Sequence, residues 1–147
     1  TVFGQAIAQD HRAVYALRDQ YLAAAGQVDL QRALAQQLMW EIARHVASEE
    51  ILVHPLCVKY AGEEMGGKLA EFDGLEHAAV KENLLKLMAL NAAPGELQFD
   101  DMLEKVLGDL HRHNDSEEAS DVPTLEKSMS PQEVQEMAQA LEMTKDF

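Results

Sequence analysis

The chain has 147 residues, 47% of them hydrophobic, so one domain over 1–147 with a substantial core is expected. Aromatics are only 5%, and alanine and leucine dominate the apolar set, which favours helices over a β-sandwich or barrel. The formal charge of -14 argues against nucleic acid and anionic membranes as partners and suits a polyvalent cation; the single cysteine, Cys57, rules out an intrachain disulfide and a zinc ribbon.

The spacing of breakers predicts an all-α chain. A first helix is expected over about 3–25, ending before Gly26, and a second over about 29–54, kinked or ended by Pro55. Gly62, Gly66 and Gly67 read as a turn, followed by a third helix over about 68–92 that stops at Asn91–Pro94–Gly95. A fourth runs over about 97–119 and stops before Pro123. Ser130-Pro131-Gln132-Glu133 is a capping-box signature for a short fifth helix to about 145. Four long helices joined by short loops predict an up-down-up-down four-helix bundle, with the short C-terminal helix packed outside it. No apolar run reaches the roughly 18 residues of a membrane span. No charged-then-apolar leader opens the chain and a cytoplasmic location is expected, although the start at Thr1 without a methionine leaves room for a removed upstream segment.

Steps of three and four residues trace the core faces: Ile7, Val14 and Tyr21; Leu30, Leu34, Leu38, Ile42 and Leu52; Leu69, Val80, Leu84 and Leu87; Phe99, Leu103, Val106 and Leu110. Polar residues interrupt all four stripes at matched places. His11 lies between Ile7 and Val14, His45 and Glu49 between Ile42 and Leu52, and His77 just before Val80, while His113 and Glu117 follow Leu110. Residues four apart lie about 40° apart on one helix face, so His45/Glu49 and His113/Glu117 can each serve one site.

The chain also repeats itself. His45-Val-Ala-Ser-Glu49-Glu50 leads to Pro55, and His113-Asn-Asp-Ser-Glu117-Glu118 leads to Pro123, both reading His-x3-Glu-Glu-x4-Pro. His11-x-x-Val14 matches His77-x-x-Val80. Two helical hairpins of one plan, related by a pseudo-twofold, would gather four histidines and two glutamates in a single layer. A lone core histidine is more often hydrogen-bonded than ligating, but buried glutamates are costly without a partner. Two of them, each beside a histidine in a repeated motif, point to metal. Nitrogen and oxygen donors without thiolate suit iron or manganese, with zinc less fitting.

Asp10-His11, His45-x3-Glu49-Glu50, His77 and His113-x3-Glu117-Glu118, with Pro123 and the Ser130-Pro131-x-Glu133 helix, resemble the hemerythrin-like (HHE cation-binding) domain family over nearly the whole chain. The resemblance implies a four-helix bundle around two iron ions with a bridging oxo or hydroxo, with His11, His45, Glu49, His77, His113 and Glu117 as metal ligands. It implies dioxygen or peroxide, or a small organic substrate, as partner. Family members include oxygen carriers, sensors and redox enzymes.

One departure bears on activity. Oxygen-carrying hemerythrins place two histidines four apart on the third helix, whereas the neighbours of His77 at that spacing are Asp73 and Lys81. Two six-coordinate ions take about twelve donor bonds, of which the expected ligands and a bridging oxo or hydroxo supply about ten. Asp73 is a candidate for one of the remainder, and Lys81 for a nearby charge or proton. The open positions favour a di-iron redox enzyme directed at oxygen or peroxide; the alternative is a non-catalytic module for carriage, storage or sensing. His111, about 160° from His113, is expected to face outward or stand behind the ligands, and is the fallback ligand, with Asp115 as its partner, if the helix turns differently. His54, about 180° from His45, reads as a surface or loop histidine, Trp40 and Met39 as packing, Tyr15 as core or a hydrogen bond near the metals, and Cys57 as a small buried residue. The acidic runs Glu49–Glu50, Glu63–Glu64 and Asp115–Glu118 each keep a face in solvent, with Glu49 and Glu117 turned inward.

Overall fold

Alanine, leucine and the long straight side chains that fill this sequence are strong helix formers, and the apolar stripes give them a face to bury. The computed structural model describes residues 2–146, apart from the side chains of Ala61 and Glu63, and no strand occurs among them. The helices are α1 (Val2–Ala23), α2 (Val28–Ala61), α3 (Glu63–Ala89), α4 (Leu97–Ser116), α5 (Val122–Glu126) and α6 (Pro131–Met143). A π-helical turn, Glu117–Asp121, joins α4 to α5, and a 3-10 turn, Thr144–Asp146, follows α6.

Side-chain pairs give the directions. His45 of α2 meets Asp10 of α1, and near the other end of α1 Gln31 reaches the Tyr21 carbonyl. Lys81 of α3 meets Glu50 while Asp73 meets the later His54. Asn83 meets Asp109 of α4, and His77 meets the later His113. Tyr15 of α1 meets Asn114, and Tyr21 meets the earlier Asp100. Each helix is therefore antiparallel to its neighbours, the expected up-down-up-down bundle. α6 packs outside it, against α1 and α2, and buries Leu141 and Ala138.

Several boundaries differ from expectation. α2 does not stop at Pro55 but continues to Ala61, and α3 starts at Glu63 with Gly66 and Gly67 inside it. Only Gly62, at φ +83°, makes the turn. A side chain on Gly66 would overlap the Cys57 carbonyl, so the two backbones touch there and α3 lies unusually close to α2. Pro123 does not end the fourth helix either: the Val122 N–H bonds the Glu117 carbonyl five residues back, and the widened turn carries the helix past the proline. Leu30, expected in the core, is 46% exposed, because the first turn of α2 overhangs the end of α1 and Gln31 is buried in its place. Trp40, expected to pack, is 52% exposed.

The Ser130 capping box is present. Ser130 Oγ accepts from the Glu133 N–H, and the Glu133 carboxylate accepts from the Ser130 N–H. Ser130→Ala is expected to cost about 1 kcal/mol, read as a lower urea midpoint. An unchanged midpoint would mean that α6 is held by its packing alone.

The apolar interior falls into two clusters. One includes Val14, Leu38, Ile42, Val46, Val80, Leu103 and Leu110. The other includes Phe3, Ile7, Val53, Leu56, Val122, Leu125 and Leu141. The interrupting histidines and glutamates lie between them.

Candidate metal centre

His11, His45, Glu49, His77, His113 and Glu117 come from four helices and the π turn, and all are buried. Along each helix they follow residues of one apolar cluster and precede residues of the other, so the polar layer is sealed above and below. The π turn begins at Glu117 itself.

All four imidazoles are oriented alike. Each turns Nδ1 to a carboxylate at the rim of the layer: His11 to Glu118 at 3.0 Å, His45 to Asp10 at 2.9 Å, His77 to Glu50 at 3.5 Å and His113 to Glu76 at 3.5 Å. Each turns Nε2 inward. His45 Nε2 is 2.7 Å and His11 Nε2 3.6 Å from Glu49 Oε1, and His11 Nε2 is 3.6 Å from Glu117 Oε1. On the other side, His77 Nε2 is 3.1 Å and His113 Nε2 3.8 Å from Glu49 Oε2, and His113 Nε2 is 3.5 Å from Glu117 Oε2. Each glutamate thus offers one oxygen to each histidine pair. Asp73 joins the second group, its Oδ1 2.9 Å from His113 Nε2. The donor atoms of Glu49, Asp73, His77 and His113 lie within 4.8 Å of one another, as do those of His11, His45 and Glu49.

The pseudo-twofold read from the repeat holds in space. His11 and His45 meet edge-on with centroids 4.7 Å apart, and His77 and His113 do the same at 4.7 Å. Asp10 and Glu76, each preceding a single histidine, serve the histidine of the other motif. Glu118 and Glu50, the second glutamates of the motifs, serve His11 and His77. Sequence reasoning gave these four carboxylates no role, although their repeated position beside the histidines carried the signal. It also missed Arg44, which donates to Asp10 and to Thr144 after α6.

Several buried polar atoms in the layer have no hydrogen-bond partner: His11 Nε2, His45 Nε2, both Glu49 oxygens and Glu117 Oε1. Such groups are costly to bury unsatisfied, and a cation between them satisfies all of them at once. The residues fit a metal centre on this ground.

The other expected residues fall as follows. His111 is exposed beside Asp115, with its ring against Tyr15. Tyr15 accepts a hydrogen bond from Asn114. Lys81 pairs with Glu50 and so stands behind His77 rather than in the layer. Cys57 is buried, as expected, and burial and the Asp73 charge push its thiol up to about 11. Met39 is partly buried against the core. Glu63 lies outside the described side chains, and Glu64 is exposed. His54 is not a surface or loop histidine. It bonds Asp73 and stacks on His77 with centroids 5.5 Å apart, because the close α2–α3 contact brings Asp73 over that flank of α2.

The carboxylates of the layer favour the protonated form of its imidazoles. Burial pushes the His11 and His45 values down, but the surrounding carboxylates outweigh it. His11 is raised from 6.5 to about 9 by Glu117 and Glu49, and His45 to about 10 by Glu49 and Asp10. Burial raises Asp73 in turn, but His113 and His54 bring it down to about 2. Glu117 is raised by burial and by the charge of Glu49. A raised imidazole stabilises the fold fully below its unfolded value and loses that contribution as pH climbs through its folded value. The melting midpoint of chelator-treated protein is therefore expected to fall between pH 6.5 and about 10, by on the order of 10 °C. Circular dichroism melts across that range check this; a midpoint that holds or rises would mean these imidazoles are neutral.

The sequence profile described as Hemerythrin HHE cation binding domain matches residues 3–125. An uncharacterized hemerythrin-like protein of Schizosaccharomyces pombe is 39% identical over 147 residues, covering 100% of this chain and 70% of that protein. No solved structure matches. Among the described residues no helix is long and apolar enough to cross a membrane.

Proposed function

We propose that this chain, which belongs to the hemerythrin HHE cation-binding domain family, holds two iron ions in the sealed layer and uses them in redox chemistry on dioxygen or peroxide. His11 and His45 would hold one ion and His77, His113 and Asp73 the other, with Glu49 and Glu117 shared between them. The observation that carries this is the pairing of the two histidine groups across the two oxygens of each glutamate, with His11 Nε2, His45 Nε2, both Glu49 oxygens and Glu117 Oε1 left unsatisfied. A donor set of nitrogen and oxygen suits iron better than zinc.

A pair of irons supplies electron transfer and Lewis acidity toward a bound oxygen species. The chain's own residues supply the rest. Asp10 and Glu118, bonded to Nδ1 of His45 and His11, fix the tautomer and orientation of those imidazoles and raise their basicity, and Glu50 and Glu76 place a negative charge 3.5 Å behind His77 and His113. The two apolar clusters exclude water from above and below. With Asp73 added to the His77/His113 group, the His11/His45 group would be the one with fewer protein ligands. A cavity of about 20 Å³ touches Asp73 and Glu117 and is walled by Val53, Cys57, Leu69 and Leu125, among others. That is room for about one water-sized molecule, which favours dioxygen or peroxide over an organic substrate.

Metal analysis and peroxide turnover test the proposal together. Protein purified without chelator should carry about two irons per chain, absorb through oxo-to-iron charge transfer when oxidised, and consume peroxide catalytically. A single tight zinc with no iron uptake would overturn the metal assignment. A long-lived oxygen adduct that releases intact oxygen on degassing, with no peroxide consumed, would overturn the redox role in favour of carriage.

A further inference from the structure

The pseudo-twofold fails at one pair of positions. Ile7 stands four residues before His11, as Asp73 stands before His77. Val122 stands nine residues after His113, as His54 stands after His45. In one half, Ile7 and Val122 are both fully buried members of the same apolar cluster. In the other half, Asp73 and His54 are bonded side chain to side chain. An apolar pair in one half is thus matched by a polar, hydrogen-bonded pair in the other.

We propose that His54 is the positioning residue for Asp73, and that this pair makes the two metal positions unequal. The inference rests on the metal reading given above. His54 Nε2–H donates to Asp73 Oδ2. That leaves Asp73 Oδ1, 2.9 Å from His113 Nε2, turned into the layer as the ligand atom for the ion held by His77 and His113. A carboxylate four residues before His77 on an exposed-to-buried boundary would otherwise be free to turn about its terminal torsion; a donor on its second oxygen fixes the first. The His54 ring also lies nearly parallel to His77, at 20°, which keeps the imidazole in place for its bond to Asp73. The His11/His45 position has no such device, because Ile7 and Val122 offer neither ligand nor donor. The consequence is one ion held by an added, oriented carboxylate and one left less filled.

The test is an anaerobic ferrous-iron titration against a competing chelator, with bound iron counted by elemental analysis and each ion followed by Mössbauer spectroscopy. Wild type, Asp73→Ala, His54→Ala, His54→Gln and the Asp73→Ala/His54→Ala double variant are compared. Wild type should bind two ions. Asp73→Ala and His54→Ala should weaken the same single ion, His54→Ala by roughly 10- to 100-fold, the usual cost of losing a group that orients a ligand. His54→Gln, whose amide can donate to the same oxygen, should recover most of that loss. The double variant should be no worse than Asp73→Ala, since His54 acts through Asp73. His54→Ala binding both ions as wild type does would overturn the inference. So would equal weakening of both ions, or further loss in the double variant, which would make His54 a general structural residue or a ligand itself. Wild type that takes up no iron is a separate result, and it overturns the metal reading beneath this one.

Discussion

Glu49→Gln is expected to empty both metal positions, not one. Its two oxygens face different histidine pairs, Oε1 toward His11 and His45 and Oε2 toward His77 and His113. Glutamine keeps the volume but replaces one acceptor with an NH2 donor, which would confront inward-facing nitrogens. The metal-free protein should suffer as well. Burial raises the Glu49 carboxyl, but His45 and its neighbours hold it well below the usual carboxylate range, so it is the buried counter-charge of the layer. Removing one partner from a buried charged group costs on the order of 3–5 kcal/mol. Elemental analysis should therefore find well under one iron per chain, and the metal-free melt should move down by on the order of 10 °C. Glu64→Gln, at an exposed side chain, is the control and should change neither. Two irons retained in Glu49→Gln would show that the carboxylate is not shared between the ions.

Neighbouring glycines in α3 should respond with opposite signs. Both Gly66 and Gly67 are helical, and neither has a positive φ. A methyl group on Gly67 meets nothing within 4 Å, so Gly67→Ala should stabilise the helix by about 0.5–1 kcal/mol. A methyl group on Gly66 runs into the Cys57 carbonyl, which belongs to a rigid helix backbone and cannot step aside. Gly66→Ala must push α3 away from α2, at about 1–3 kcal/mol or more. The displacement lies two turns before Asp73, so iron on the His77/His113 side should be lost along with stability, while the His11/His45 side holds its ion longer. Denaturant melts and iron counts on the two variants check this. Equal behaviour of the two glycines would mean that the helices have slack at this contact.

The different origins of these features explain which were legible in the sequence. Helix periodicity is local: the step from Ile7 to His11 to Val14, or from Ile42 to Glu49, is fixed by 3.6 residues per turn whatever else the chain does. So the all-helical bundle, most of each helix's inward face and the meeting of His11, His45, Glu49, His77, His113 and Glu117 in one layer followed from spacing and repeat alone. The capping box at Ser130 was equally local. The chain stays helical through Pro55, where a kink or an end was expected, and through Pro123, where an end was expected, because a proline removes only one hydrogen bond and packing of the flanking turns, with a π turn at Glu117, outweighs that loss. Which residue stands opposite a given side chain is not local at all. His54 was placed on the surface from its angle to His45 on an isolated helix. The structure puts α3 against that flank, through the backbone contact at Gly66, and Asp73 meets it there. The carboxylates behind the four imidazoles were decided in the same way, because Asp10, Glu50, Glu76 and Glu118 each act on a histidine of another helix, and only the assembled bundle sets those distances.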